Sequence, residues 1–340
     1  MLRNILLYST LSLMTFGPAF AAAPSPAGGG AVFGSKSQIK VVNGGPLKEG
    51  TSFAIGSFRV TFITSDKVVS VAKGGWATAS ASAQMNGTLI GLAHPTMQKL
   101  ADQVYADFLQ QATAKGLTLV DSVKFAAASP SYKAMATTPN YEEGRLGTVV
   151  IPTGQQSVPL SEDHSENANK GSKGIFAQIK QQQTALYASS DANKIFPIAA
   201  KEVGMPVIGV TIIVNFGDFQ GATHNWGGSH VKVLPGATVD GGNKMELLRA
   251  TSMLAWGPKT CPACMAQVLL EGTIHSDESI GDTEASKSRR SISTTLGGDI
   301  MGSSASKDMT IVVDLPAYEK NVLIVTSQTS GLMLAELGTK

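Results

Sequence analysis

The run Val207-Ile208-Gly209-Val210-Thr211-Ile212-Ile213-Val214 leaves few choices for the chain around it. Six of its eight residues are β-branched aliphatics, the pattern of a strand covered on both faces and placed inside a sheet. Met205-Pro206 before it and Gly217 after it bound a stretch too short for a buried helix. Burying those six side chains contributes on the order of 10 kcal/mol, an upper figure because an unfolded chain already hides part of its surface. Upstream, Asp191 to Val203 reads as a short helix with Gly204 as its stop. Pro197 inside it removes a hydrogen bond, so the helix is expected to kink there or to begin at Phe196-Pro197, with a useful length of Pro197 to Val203.

The first residues carry a different signal. Arg3, an apolar run from Ile5 to Phe16 and the small-residue site Ala19-Phe20-Ala21 read as a secretory signal peptide over residues 1–21, cut after Ala21 or one residue later. The apolar run is too short to span a bilayer, so no stable membrane span is expected after cleavage, which leaves peripheral outer-membrane association open. Residues 22–48 begin with AAPSPAGGG and read as a flexible linker. Residues 49–340 read as one elaborated domain with insertions at 65–92, 137–173 and 276–307. Across the whole chain 27 Lys and Arg face 25 Asp and Glu. Such a balance argues against a nucleic-acid groove, which needs a basic excess.

The two cysteines form Cys261-Pro262-Ala263-Cys264. In an exported chain the spacing permits a local disulfide or a thiol-redox pair, and a lone CxxC cannot supply four zinc ligands. Gly257-Pro258 before the pair and an alternating strand after it favour the disulfide, Cys261 with Cys264, over a redox site at a helix start.

Along the chain, Phe53 to Thr64 has strand composition, with Val60 and Phe62 on one face and Arg59, Thr61 and Ile63 on the other. In Val68 to Leu92, Ala77, Ala79, Ala81, Ala83 and Met85 alternate with polar residues beyond Lys73-Gly74-Gly75, as in a flexible edge hairpin; membrane insertion is the alternative. His94 to Lys115 is the clearest helix: Met97, Leu100, Ala101, Val104, Tyr105, Phe108, Leu109 and Ala112 make one stripe, Pro95 suits its first turn and Gly116 its end. Leu117 to Asp121 is a short strand, Ser129-Pro130 opens a short helix, and Gly147 to Pro152 is a strand. Glu162, Asp163, His164 and Glu166 lie in a polar loop, followed by helical spacing from Ile175 to Tyr187. Strands are expected at His230 to Leu234, Met245 to Trp256, Ala266 to His275 and Met309 to Val313, then a helix from Asp314-Pro316. Ser276 to Lys307 reads as a polar mobile insertion. The fold class is α+β (α/β): a mixed, largely antiparallel sheet with helices packed on it.

No phosphate loop, dinucleotide fingerprint, nucleophile elbow or HExxH helix occurs in the sequence. The best polar constellation follows the central strand: Asn215, Asp218, His224, Asn225, Trp226 and His230 in a glycine-rich stretch read as a loop from Asn215 to Ser229. Ligands gather at the carboxyl ends of strands in open α/β sheets, so these residues are the candidate ligand or partner contacts. A metal held by Asp218, His224 and His230 is the alternative. No catalytic residue, bound metal or cofactor is expected.

The order of elements resembles the amino-terminal α/β domain of TolB and the periplasmic core of the curli secretion lipoprotein CsgG. The resemblance is carried by Pro95 to Lys115 running into Leu117 to Asp121, and by Ala199 to Gly204 (AAKEVG) followed by Val207 to Val214. It covers about half the mature chain, leaves out the three insertions, and lacks a cysteine at the leader junction. It implies a TolB-like or CsgG-like core and a binding or assembly role in the Gram-negative cell envelope, periplasmic or secreted. The expectation is a non-enzymatic exported protein with a protein partner or self-association. A membrane-inserted oligomeric secretion pore and a metal-dependent periplasmic hydrolase are the alternatives.

Overall fold

The computed structural model describes residues 39–42, 44–48, 50–73, 80–137, 141–143, 147–158, 191–223, 229–239, 253–257, 266–270, 272–276, 278–283, 294–298 and 304–338. The expected signal peptide over residues 1–21, Glu162 to Glu166, Ile175 to Tyr187 and both cysteines lie outside them. The fold is α+β, with mixed sheets and helices packed on them.

Strand β8 (Val207–Thr223) organises the larger sheet. Its first half lies between β10 (Met253–Gly257), antiparallel, and β2 (Ser52–Ile63), parallel. Its second half pairs with β9 (Ser229–Val239). Val207, Ile208, Val210, Ile212 and Val214 are fully buried, as a strand with neighbours on both edges and layers on both faces requires. Outward from β10 come β11 (Ala266–Leu270) and β1 (Ile39–Val42); outward from β2 come β7 (Gly147–Val150) and β6 (Tyr141–Glu143). Strand β5 (Thr118–Val120) runs parallel to β2, and β12 (Ile274–His275) and β14 (Thr294–Gly298) pair with β9.

The second sheet has the order β13 (Gly281–Thr283), β15 (Ser304–Val313), β4 (Ser80–Ile90), β3 (Ser65–Lys73). Thr64 alone carries the chain from β2 into β3, and its carbonyl accepts from the Leu89 N–H. Alternation sorts this sheet cleanly. Val68, Ala83, Met85, Leu89, Met309 and Ile311 point inward and are buried. Ser65, Lys67, Thr88, Ser306 and Asp308 point outward and are exposed. The expected edge hairpin is therefore half of a packed sheet. Its Ala83 and Met85 meet the interior, β4 has a neighbour on each side, and of the two hairpin strands β3 stands at the rim. The segment Ser276 to Lys307, expected as a mobile insertion, likewise contributes β13, β14 and the first residues of β15. Its serines and glycines hid the pairing because a strand of mostly polar residues carries little periodic hydrophobic signal.

Helix α1 (His94–Ala114) buries Met97, Leu100, Ala101, Val104, Tyr105, Phe108 and Ala112. Phe58 of β2 meets Tyr105 and Phe108 edge to face, at 4.9 Å and 5.3 Å between ring centres. Beside it lies α5 (Leu315–Leu334), capped by Asp314, whose side chain accepts from the Ala317 N–H. Lys99–Glu319 at 2.6 Å and Gln111–Ser327 at 2.9 Å tie the two helices.

A separate cluster unites α2 (Ser122–Ala128), α3 (Pro130–Met135) and α4 (Asp191–Val203) through Phe125, Tyr132, Phe196, Ala199 and Ala200. Ser129 caps α3 as expected, its hydroxyl accepting from the Tyr132 N–H. Helix α4 begins at Asp191 and continues through Pro197, so the shorter helix starting at the proline is corrected. Burial of Phe196, Ala199 and Ala200 on one face offsets the hydrogen bond that Pro197 cannot donate. Gly56 makes this docking feasible: a Cβ there would meet the Phe196 ring and Val207. Its register shift between Ile55 and Ser57 marks a bulge.

Candidate functional site at the base of the two hairpins

Two long hairpins, β3–β4 and β8–β9, leave the core from neighbouring places, and a buried polar pair joins them there. Asn215 lies on β8 and is fully buried, and its Nδ2 donates to Asp66 Oδ2 at 2.7 Å. Asp66 lies on β3, also buried, and its Oδ1 accepts from the Lys67 N–H. The β8–β9 register shifts between Asn215 and Gly217, passing over Phe216. There the Asn215 Oδ1 accepts the Phe216 N–H at 2.8 Å. One amide thus serves a bulge with its oxygen and a second sheet with its nitrogen, which hydrophobic side chains cannot do.

The expected loop from Asn215 to Ser229 is therefore a strand as far as Thr223, and this sets Asn215 and Asp218 apart from His230. Asn215 stands opposite Thr238 and Asp218 opposite Leu234, whereas His230 stands opposite Ala222. Seven residues of ribbon separate the Asn215 row from the His230 row, about 23 Å. Asp218 is half-buried. His224, Asn225 and Trp226 lie outside the described residues, as do Cys261 and Cys264, and His230 is placed only by its position on β9. Asn215 and His230 do not converge.

Sequence reading missed Asp66 as Asn215's partner. The available signal was a carboxylate on the same face as Val68 and Ser70, where alternation places inward residues. It also placed Arg59 on β2 without a partner. Arg59 is fully buried and donates to Glu142 Oε2 of β6 at 2.6 Å, a pair 83 residues apart in sequence. At the surface above, His94 Nε2 lies 2.6 Å from Glu143 Oε1 and stacks on Tyr141. Tyr132 donates to the Gly56 carbonyl at 2.8 Å and Tyr105 to Gln155 Oε1 at 3.1 Å. Burial pushes both phenols far above their ordinary range, so both remain protonated donors. Among the described residues no group of three or more His, Cys, Asp or Glu is gathered as a metal would need.

Glu202 of α4 binds the hydroxyls of Ser129 and Ser131, each at 2.5 Å, and so fastens α4 to the start of α3. These two hydroxyls hold the carboxyl below its ordinary value of 4.5. A depressed folded-state value means that the contribution is present above the ordinary range and disappears as pH falls through the folded value. In melting curves taken from neutral to acid pH, the Tm advantage over Glu202→Gln should persist down to the ordinary carboxylate range and vanish below it. An advantage independent of pH would contradict this assignment.

The architecture defines an α+β protein built on an eleven-stranded and a four-stranded sheet among the described residues. No known family model, curated protein or solved structure matches the chain. No helix among the described residues is long and apolar enough to cross a membrane, which leaves strands aside.

Proposed function

We propose that this is an exported protein of the cell envelope with a non-enzymatic binding or assembly role, working through the surface of its second sheet. The observation that carries this reading is the use of its polar groups. Asp66 and Asn215 join two strands, Arg59 holds the edge strand β6, Glu202 fastens two helices and Ser129 caps one. What faces water on β3, β4 and β15 is a regular sheet face of Ser, Thr, Gln and Asn side chains with Lys67, Asp308, Ile90 and Val312 among them, a surface suited to contact with another macromolecule. The leader-like amino terminus and the resemblance to TolB and CsgG support the envelope setting.

The second reading, a membrane-inserted oligomeric pore, draws support from strand length. β3 has nine residues, β4 and β9 eleven each, and about 9 to 11 suffice for a tilted strand to cross a bilayer. In the folded chain the inward face of β3–β4 is buried against the larger sheet, so insertion would require the two sheets to part.

Fractionation followed by native mass measurement and pull-down from envelope extracts separates the readings. The assembly reading expects the mature chain in the soluble envelope fraction, recovered with a partner or as an oligomer. A strict monomer without partners would overturn it. Recovery only with detergent would instead favour the pore.

A further inference from the structure

Resting on the assembly reading, we infer that the outer face of β3–β4–β15 is a contact surface for a second copy of this chain, arranged about a two-fold axis running along β4. The inference comes from the register of the three strands. Lys67 pairs with Asn86, and Asn86 with Asp308, so the three form one straight row across the sheet. Asn86 Nδ2 donates to Asp308 Oδ1 at 2.7 Å, which fixes the carboxylate at one end. Lys67 sits at the other end, exposed, two strands and about 10 Å away. Within one chain the two charges are not paired with each other: Asp308 accepts from Asn86 instead.

A two-fold axis in the interface, parallel to β4, exchanges the flanking strands. It lays β3 of one copy over β15 of the other while leaving each row at its own level. Lys67 then stands over the partner's Asp308, and the symmetric contact repeats it, giving two ion pairs from one operation. Rows on either side are compatible: Val69 with Gln84 and Ser306 below, Ser65 with Thr88 and Thr310 above. At the end of the face, Ile90 and Val312 are register neighbours, each 43% exposed. The operation brings this apolar end of each copy to the same end of the interface. Neither feature is explained by the fold of one chain, since the interior lies on the opposite face of these strands.

Size sets the strength. Three strands about 4.8 Å apart and nine residues long give a face of roughly 14 by 30 Å, about 400 Å² per copy. About 800 Å² in total lies below the range of stable interfaces, so the dimer is weak and depends on concentration. Two screened surface ion pairs also make it sensitive to salt.

Sedimentation velocity of the mature chain, from about 1 to about 200 μM at low salt, tests this. Wild type should pass from monomer to dimer within that range and revert on adding salt. Lys67→Glu and Asp308→Lys should each weaken dimerisation about tenfold or more, and the Lys67→Glu/Asp308→Lys double variant should restore it. Both positions are exposed, and unchanged circular dichroism and melting would verify folding. A dimer indifferent to both single variants overturns this face while leaving self-assembly standing. A monomer at every concentration overturns the face and self-association together, and the pull-down then decides whether a different partner is bound.

Discussion

Phe58→Ala should lower the free energy of unfolding by about 4 kcal/mol. Phe58 is fully buried at the middle of β2, and its ring lies edge to face against Tyr105 and Phe108 of α1. The substitution removes the transfer energy of the ring and leaves a cavity. β2, held between β8 and β7, is poorly placed to collapse into it. Aromatic pairing adds about 0.5 to 1.5 kcal/mol that an aliphatic replacement also forfeits. With a total stability of about 5 to 15 kcal/mol, a large part of the margin goes. Urea unfolding should show the midpoint falling with the slope unchanged, and Phe58→Leu should recover more than half the loss. A loss below about 1 kcal/mol would mean that this ring does not join α1 to the sheet.

Asn215→Ala is expected to cost about 2 kcal/mol, from the loss of the donor to a buried carboxylate and of the acceptor at the bulge. Its signature is where the damage falls. Asn215 ties the hairpins to each other, so amide exchange should accelerate along β3, β4 and the second half of β8. The Val207 to Thr211 segment, paired with both β10 and β2, should keep its protection. Uniform acceleration through the whole sheet, or none, would show that the Asp66–Asn215 bond does not join the two hairpins. The measurement bears on both functional readings, because any parting of the sheets must break this bond.

Much of the candidate site was hidden for a physical reason. Asn215, Asp218 and His230 are close in sequence, and glycines between them suggested a loop that could gather them. The backbone instead extends as a ribbon in which about 3.3 Å of rise per residue carries Asn215 and His230 apart. Asp66 and Asn215, 149 residues apart, are neighbours because a single residue, Thr64, turns the chain from one sheet into the other beside β8. Nothing local to either residue records that turn. The Arg59–Glu142 pair was hidden in the same way, by the antiparallel return of β7 and β6 beside β2.

What the sequence determined by itself was whatever depends on a residue and its near neighbours. The β-branched run at Val207 to Val214 fixed the interior strand, the three- and four-residue spacing fixed α1, and Ser129-Pro130 and Asp314-Pro316 set helix starts by capping. These follow from local sterics, hydrogen bonding and periodic burial. Only the tertiary structure decided that Ala83 and Met85 of the alanine-rich hairpin turn inward, that polar Ser276 to Lys307 supplies strands, and that Lys67, Asn86 and Asp308 stand in one row. Pairing between strands is selected by packing of the whole chain, and long-range register leaves no periodic trace in either strand alone.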